Sequence, residues 1–267
     1  MTGTHESYET IETTLTENGT LVVTLNRPQA SNATNTQMGR EMRDMWARVA
    51  APGSGVHCVI LTGAGRTFSA GGDLKERNGM SNEQWQQQHA IFEASRRGLI
   101  ECPVPVIAAV NGPAYAGGCE TVLACDFAYA VRSARFALTE VTLGIMPGSG
   151  GTQYLPRVVG QPRAMEIILT GLPFSAEQAR EWGMVNALFD DAQSMLDAAL
   201  ATAARIAQNA PLSIRQAKKS IRTGLQLDIR SALQFEVEAY NRLVGTEDRR
   251  EGVRAFQEKR KPVFTGR

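Results

Sequence analysis

Three short apolar runs, 21–25 (LVVTL), 56–62 (VHCVILT) and 104–111 (VPVIAAVN), bounded by glycine, proline or asparagine, most constrain what this chain can fold into. Runs this short and this rich in β-branched residues fit buried strands better than core helices. After the first, Met38, Met42, Met45, Trp46 and Val49 recur at three- and four-residue spacing, which is one apolar face of a helix. Between the second and third lies a polar, glutamine-rich stretch, 76–102, in which Trp85, Phe92 and Leu99 recur every seven residues. That stripe reads as helix packing. Strand-like 126–131 and 134–138 continue the alternation without a long linker, and alternating strands and helices predict an α/β core over residues 1–191.

From Ala192 the pattern changes. Met195, Leu196, Ala199, Leu200, Ala203 and Ile206 have helical spacing, Pro211 interrupts, and 212–226, 227–243 and 249–261 are helical in pattern. The apolar residues of 192–267 exceed what those helices can bury among themselves, so this segment is expected to be an oligomerisation region.

The formal net charge of +1 supplies no global field towards nucleic acid or an anionic membrane. Locally, Arg40, Arg43 and Arg48 alternate with Glu41 and Asp44, and the first lysine is Lys75, so no basic stripe is available for RNA phosphates. The four cysteines form no CxxC pair and the three histidines are scattered, which predicts no metal and a reducing compartment. Residues 1–18 lack a signal-type apolar core and no later run reaches the ~20 residues of a membrane span. A cytoplasmic protein with no membrane partner is expected.

Chemistry is concentrated in three glycine-rich segments, 62–73 (TGAGRTFSAGGD), 111–120 (NGPAYAGGCE) and 143–152 (LGIMPGSGGT). The first lacks the third glycine and the following helix start of a dinucleotide loop, and no GKS or GKT marks a phosphate loop. Close approach of bare backbone amides to a ligand atom is the better reading. If 116–124 opens a helix, the Gly117 amide lies at its N-terminus, and Gly72 offers a second donor. Such donors are worth about 2.7–4 kcal/mol each when aimed at a developing oxyanion. Glu120 and Glu140 lie among apolar residues. Each alone reads equally as structural; together, beside an amide pair, they suggest carboxylates held in different protonation states.

Taken in order and spacing, Leu25-Asn26-Arg27-Pro28, Phe68-Ser69-Ala70-Gly71-Gly72-Asp73-Leu74, Asn111-Gly112, Gly117-Gly118-Cys119-Glu120, Cys125-Asp126, and Glu140 with Pro147-Gly148-Ser149-Gly150-Gly151-Thr152-Gln153 form a recognisable set. Through it the whole chain resembles the enoyl-CoA hydratase/isomerase (crotonase) family. Asp73-Leu74-Lys75-Glu76-Arg77 with Met80, Glu251-Gly252 and Ala255-Phe256 are most similar to methylglutaconyl-CoA hydratases. The resemblance implies an α/β spiral of strand–strand–helix units, a C-terminal helical trimerisation region, and a homotrimer or a hexamer built as a dimer of trimers.

The same resemblance implies that Gly72 and Gly117 are oxyanion donors, that Glu120 and Glu140 handle a water bordered by Gly148, and that water adds syn across a 2-enoyl-CoA. It further implies that Lys75, with Phe256 and Lys259 of a neighbouring subunit, holds coenzyme A, which is part of the substrate and not a cofactor. An isomerase using Glu140 alone, a hydrolase, a dehalogenase or a decarboxylase is the alternative within the family; an RNA-binding module is the alternative outside it. Pro113, Tyr115, Ala116 and Tyr154 depart from the usual family pattern, and Tyr115 with residues 80–92 is expected to shape the acyl pocket.

Overall fold

The computed structural model describes residues 8–267, and the three apolar runs become neighbouring strands of its main sheet. That six-stranded sheet contains β1 (Ile11–Leu15), β2 (Thr20–Leu25), β3 (Cys58–Gly63), β4 (Val106–Val110), β6 (Phe127–Val131) and β9 (Ala187–Phe189), in that spatial order. All neighbours are parallel except β1 and β2, which pair antiparallel with Ile11 opposite Leu25. A second sheet joins β5 (Ala114–Tyr115), β7 (Arg135–Ala137) and β8 (Phe174–Ser175). Every side chain of β4 is buried, which is why its sequence is a continuous apolar run and not an alternating one.

Helices α1 (Thr36–Ala50) and α3 (Asn82–Ile100) pack on each other. Trp46 is fully buried against Gly98, where a Cβ would come within 2.7 Å of the Trp46 side chain. Between them, α2 (Leu74–Arg77) is a single turn capped by Asp73, whose Oδ1 accepts from the amides of Lys75 and Glu76. A helix therefore does start directly after the first glycine segment, contrary to the sequence reading. The stretch 76–102 is two helices because Gly79 takes φ +93° and Ser81 then restarts the chain with a capping box on Gln84.

The remaining helices are α4 (Gly117–Ala124), α5 (Gly151–Val159), α6 (Gln161–Thr170), α7 (Ala176–Glu181), α8 (Ala192–Ala207), α9 (Pro211–Gly224), α10 (Ile229–Val244) and α11 (Glu247–Gln257). Helix α8 lies across the main sheet and buries Met195, Ala199 and Ala203. Helices α9 and α10 form a hairpin that leaves Ile221, Leu225, Ile229 and Tyr240 at least 65% exposed. One polar cluster ties this hairpin to the core. Asp126 pairs through Oδ2 with Lys218 at 2.7 Å and accepts through Oδ1 from Arg222 Nε at 2.9 Å. Lys218 also donates to the Val104 carbonyl, and Arg222 to those of Ile100 and Ala124.

Strand β1 was not anticipated from the sequence, because of its residues only Ile11 is buried and the alternation is weak. Strands β5, β8 and β9 have two or three residues each, too few to carry a period. The strand expected at 134–138 ends at Ala137, and Glu140–Leu143 turns as a 3-10 helix. Among the described residues no helix is long and apolar enough to cross a membrane. No group of three or more His, Cys, Asp or Glu among them is placed to hold a metal ion.

Candidate active site

The 69–73 loop and the first turn of α4 meet at one end of a cavity of about 610 Å³. The loop is anchored on residues 27–32, and α4 packs closely against it. Ser69 Oγ donates to the Asn32 carbonyl, and Asp73 pairs with Arg27 at 2.8 Å. A Cβ on Gly118 would lie 2.3 Å from the Ser69 carbonyl oxygen, so only glycine permits the helix to sit this close.

The two amides expected from the sequence come together here. Thr34 N–H donates to the Gly71 carbonyl and Asp73 N–H to that of Thr34. The intervening Gly72 N–H points away from this bridge and has no partner among the described residues. Gly117 is the first residue of α4, where an amide lacks an intrahelical acceptor. A Cβ on Gly117 would sit 4.0 Å from Gly72 N, and one on Gly71 would sit 3.0 Å from Gly117 N, so the two amides belong to closely apposed backbone segments. The preceding Ala116 has φ +49° and donates to the Ala137 carbonyl at 2.8 Å. This positive φ, combined with ψ −124°, is uncommon for a residue with a Cβ and sets the direction of the Gly117 amide.

Both carboxylates line the same cavity and both are buried. Their surroundings differ. Glu120, one turn into α4, accepts hydrogen bonds at Oε1 from the amides of Ser149 and Gly151, each at 2.8 Å. Its Oε2 lies 4.0 Å from the Gly117 Cβ position. Glu140, at the start of the 3-10 turn, has a buried Oε2 with no hydrogen-bond partner among the described residues. Burial pushes the Glu140 carboxyl up to about 7, and the charge of Glu120 adds to the rise. The pair thus offers one carboxylate anchored by amides and one acid that can hold its proton near neutrality.

Gly148 also lines the cavity, its Cβ position 3.3 Å from the ring of His89. Lys75, Phe256 and Lys259 do not line it: Lys75 is exposed on α2, Phe256 is 86% exposed on α11, and Lys259 is exposed just beyond that helix. Tyr115 is likewise absent from the wall, whereas Trp85, His89 and Phe92 form part of it. The heptad stripe is therefore not packing alone. All three residues line the cavity, Leu99 being a buried core residue as well.

Sequence reasoning missed two further wall residues, Arg77 and Arg96. Arg96 Nη2 donates to the Gly117 carbonyl at 3.1 Å and to Thr121 Oγ1 at 2.9 Å. The Arg96-Arg97 pair within a polar helix reads as solvated charge, and only the spacing of Arg96 from Phe92 and Leu99 hints otherwise.

An amide pair beside two unlike carboxylates suits a thioester whose carbonyl oxygen gains charge while a proton moves at a neighbouring carbon. Residues 15–267 match the family model for enoyl-CoA hydratase/isomerase. The chain is 41% identical over 241 residues to a short-chain-enoyl-CoA hydratase of Clostridium acetobutylicum, covering 90% of this chain and 92% of that one. It is 38% identical over 256 residues to a 1,2-epoxyphenylacetyl-CoA isomerase of Escherichia coli, covering 94% and 97%. The crystal structure of an enoyl-CoA hydratase from Bacillus anthracis superposes with a TM-score of 0.93 at 40% identity, over 97% of this chain and all of that one. By family match, identity and fold together, the chain belongs to the enoyl-CoA hydratase/isomerase family.

Proposed function

We propose that this member is an enoyl-CoA hydratase that adds water syn across the 2,3 double bond of a 2-enoyl-CoA, giving a 3-hydroxyacyl-CoA. The observation that carries the reading is the unlike environment of two buried carboxylates beside one pair of free amides. The amides of Gly72 and Gly117 hold the thioester oxygen, binding it more strongly as enolate-like charge develops. Glu120, kept in place by Ser149 and Gly151, takes a proton from water as the oxygen attacks C3. Glu140 delivers a proton to C2. An isomerase needs one acid/base group only, so two buried acids favour hydration. Crotonyl-CoA is the first substrate to try. Rapid loss of its conjugated enoyl-thioester absorbance is expected, with 3-hydroxybutyryl-CoA as product; unchanged absorbance at high enzyme concentration would remove the hydratase reading.

The exposed apolar residues of α9 and α10 support self-association as a homotrimer or hexamer, in which Phe256 and Lys259 of a neighbouring subunit would join Lys75 around coenzyme A. Light scattering is expected to give three or six times the 29.0 kDa chain mass, and a monomer would exclude the shared site.

A further inference from the structure

We propose that the cavity contains a carboxylate subsite read by Arg77, so that the enoyl-CoA this enzyme takes carries an acidic group on its acyl chain. The inference rests on the hydratase reading and narrows its substrate class. Arg77 ends α2, and its guanidinium lies over Gly72: a Cβ there would meet Cζ and Nη1 at 3.2 Å. The cation therefore stands beside the amide assigned to the thioester oxygen, within reach of an acyl chain and a pantetheine arm away from the coenzyme's phosphates.

Its orientation is fixed from several sides. Nε donates to Gln88 Oε1 at 2.8 Å. Gln88 is itself buried and donates to Thr36 Oγ1 and Glu76 Oε2. The guanidinium centre is 4.4 Å from the Trp85 ring centroid and 5.4 Å from that of Phe92. With Nε so engaged, Nη1 and Nη2 have no hydrogen-bond or ion-pair partner among the described residues.

This sets Arg77 apart from other partly buried cations of the molecule. Arg27 is paired with Asp73, and Lys218 and Arg222 with Asp126. Arg96 also lacks an ion pair and has a buried Nε without a partner, but its Nη2 is committed to Gly117 and Thr121, whereas both terminal nitrogens of Arg77 are free among the described residues. Glu76 is the acid whose charge acts on Arg77, yet its Oε2 receives Gln88 and the Thr36 amide, and it makes no ion pair with Arg77. Burial lowers the Arg77 guanidinium from its ordinary range, with Glu76 opposing the shift. A half-desolvated guanidinium left without a counter-ion is costly. Its two free nitrogens form the fork that receives a carboxylate in bidentate fashion. An acyl carboxylate completes the arrangement, whereas a plain alkyl chain leaves it uncompensated.

Binding calorimetry with saturated thioesters tests this without turnover, using chain-matched pairs: glutaryl-CoA against valeryl-CoA, and adipyl-CoA against hexanoyl-CoA. The native enzyme is expected to prefer the acidic member of at least one pair by roughly tenfold to a hundredfold, as charge-assisted hydrogen bonds imply. Arg77→Met is expected to bring that ratio close to one, and Arg77→Lys to retain part of it. No preference in the native enzyme, or a ratio that survives Arg77→Met, overturns the subsite and leaves Arg77 as a clamp between α2 and α3. Crotonyl-CoA turnover is scored separately, so a preference in an enzyme that does not hydrate refutes the reaction and keeps the subsite.

Discussion

Glu120→Gln and Glu140→Gln are each expected to slow crotonyl-CoA hydration by about 10²–10⁴-fold, the usual contribution of a positioned acid or base. The two are expected to act as a unit, the double variant being little worse than either single one. Glutamine at 120 keeps an acceptor for the Ser149 and Gly151 amides, so the loss reads chemistry and not collapse of the loop. Full activity in Glu120→Gln would exclude the two-carboxylate mechanism and favour an isomerase working through Glu140.

Protonated Glu140 is the required acid, so native kcat/KM is expected to fall as pH rises through about 7. Stability follows the same ionisation. With the folded value raised to about 7 from 4.5, mainly by burial, the contribution of the neutral form is present below 4.5 and lost as pH rises through 7. Glu140→Gln cannot ionise, so it gains on the native protein across that window by no more than about 2 kcal/mol after screening. A pH-independent difference in unfolding free energy would show that Glu140 does not titrate there.

Asp126→Ala is expected to lower unfolding free energy by about 3–5 kcal/mol, because it leaves Lys218 and Arg222 partly buried without their counter-ion. The Val106 amide loses its acceptor as well. A surface ion pair would be worth less than about 1 kcal/mol, so the magnitude decides between the two kinds. Here the side chains of Lys218 and Asp126 are only 9% and 17% exposed. Urea unfolding should show a lower midpoint at an unchanged slope. A loss below about 1 kcal/mol would mean that α9 is held by its apolar contacts alone.

The sequence displayed Asp126 as part of a motif and nothing of this role, since its partners lie 92 and 96 positions later. The distance explains which parts were legible. Periodicity is local, so β2, β3, β4 and α1 appear wherever burial on one or both faces imposes a repeat over five or more residues. Strand β9, at three residues, exists because β6 offers it an edge, which is a tertiary cause. Trp85 and Phe92 show the opposite limit. Spacing identifies an inward face of α3 but does not say whether a cavity or a neighbouring helix lies opposite.

By itself, then, the sequence determined the α/β alternation, the helical C-terminal part and the order of motifs that carries the family, along with the glycines that let backbones approach. Those are consequences of local propensity, of period, and of side chains too small to intrude. Tertiary structure alone decided that, among the described residues, Gly72 N–H is free while its neighbours are bridged, that Glu120 receives the amides of Ser149 and Gly151 while Glu140 Oε2 has no partner, and that Arg77 stands beside them without a counter-ion. Each depends on contacts between segments far apart in the chain, where desolvation and hydrogen-bond partners are set by packing and have no counterpart in residue order.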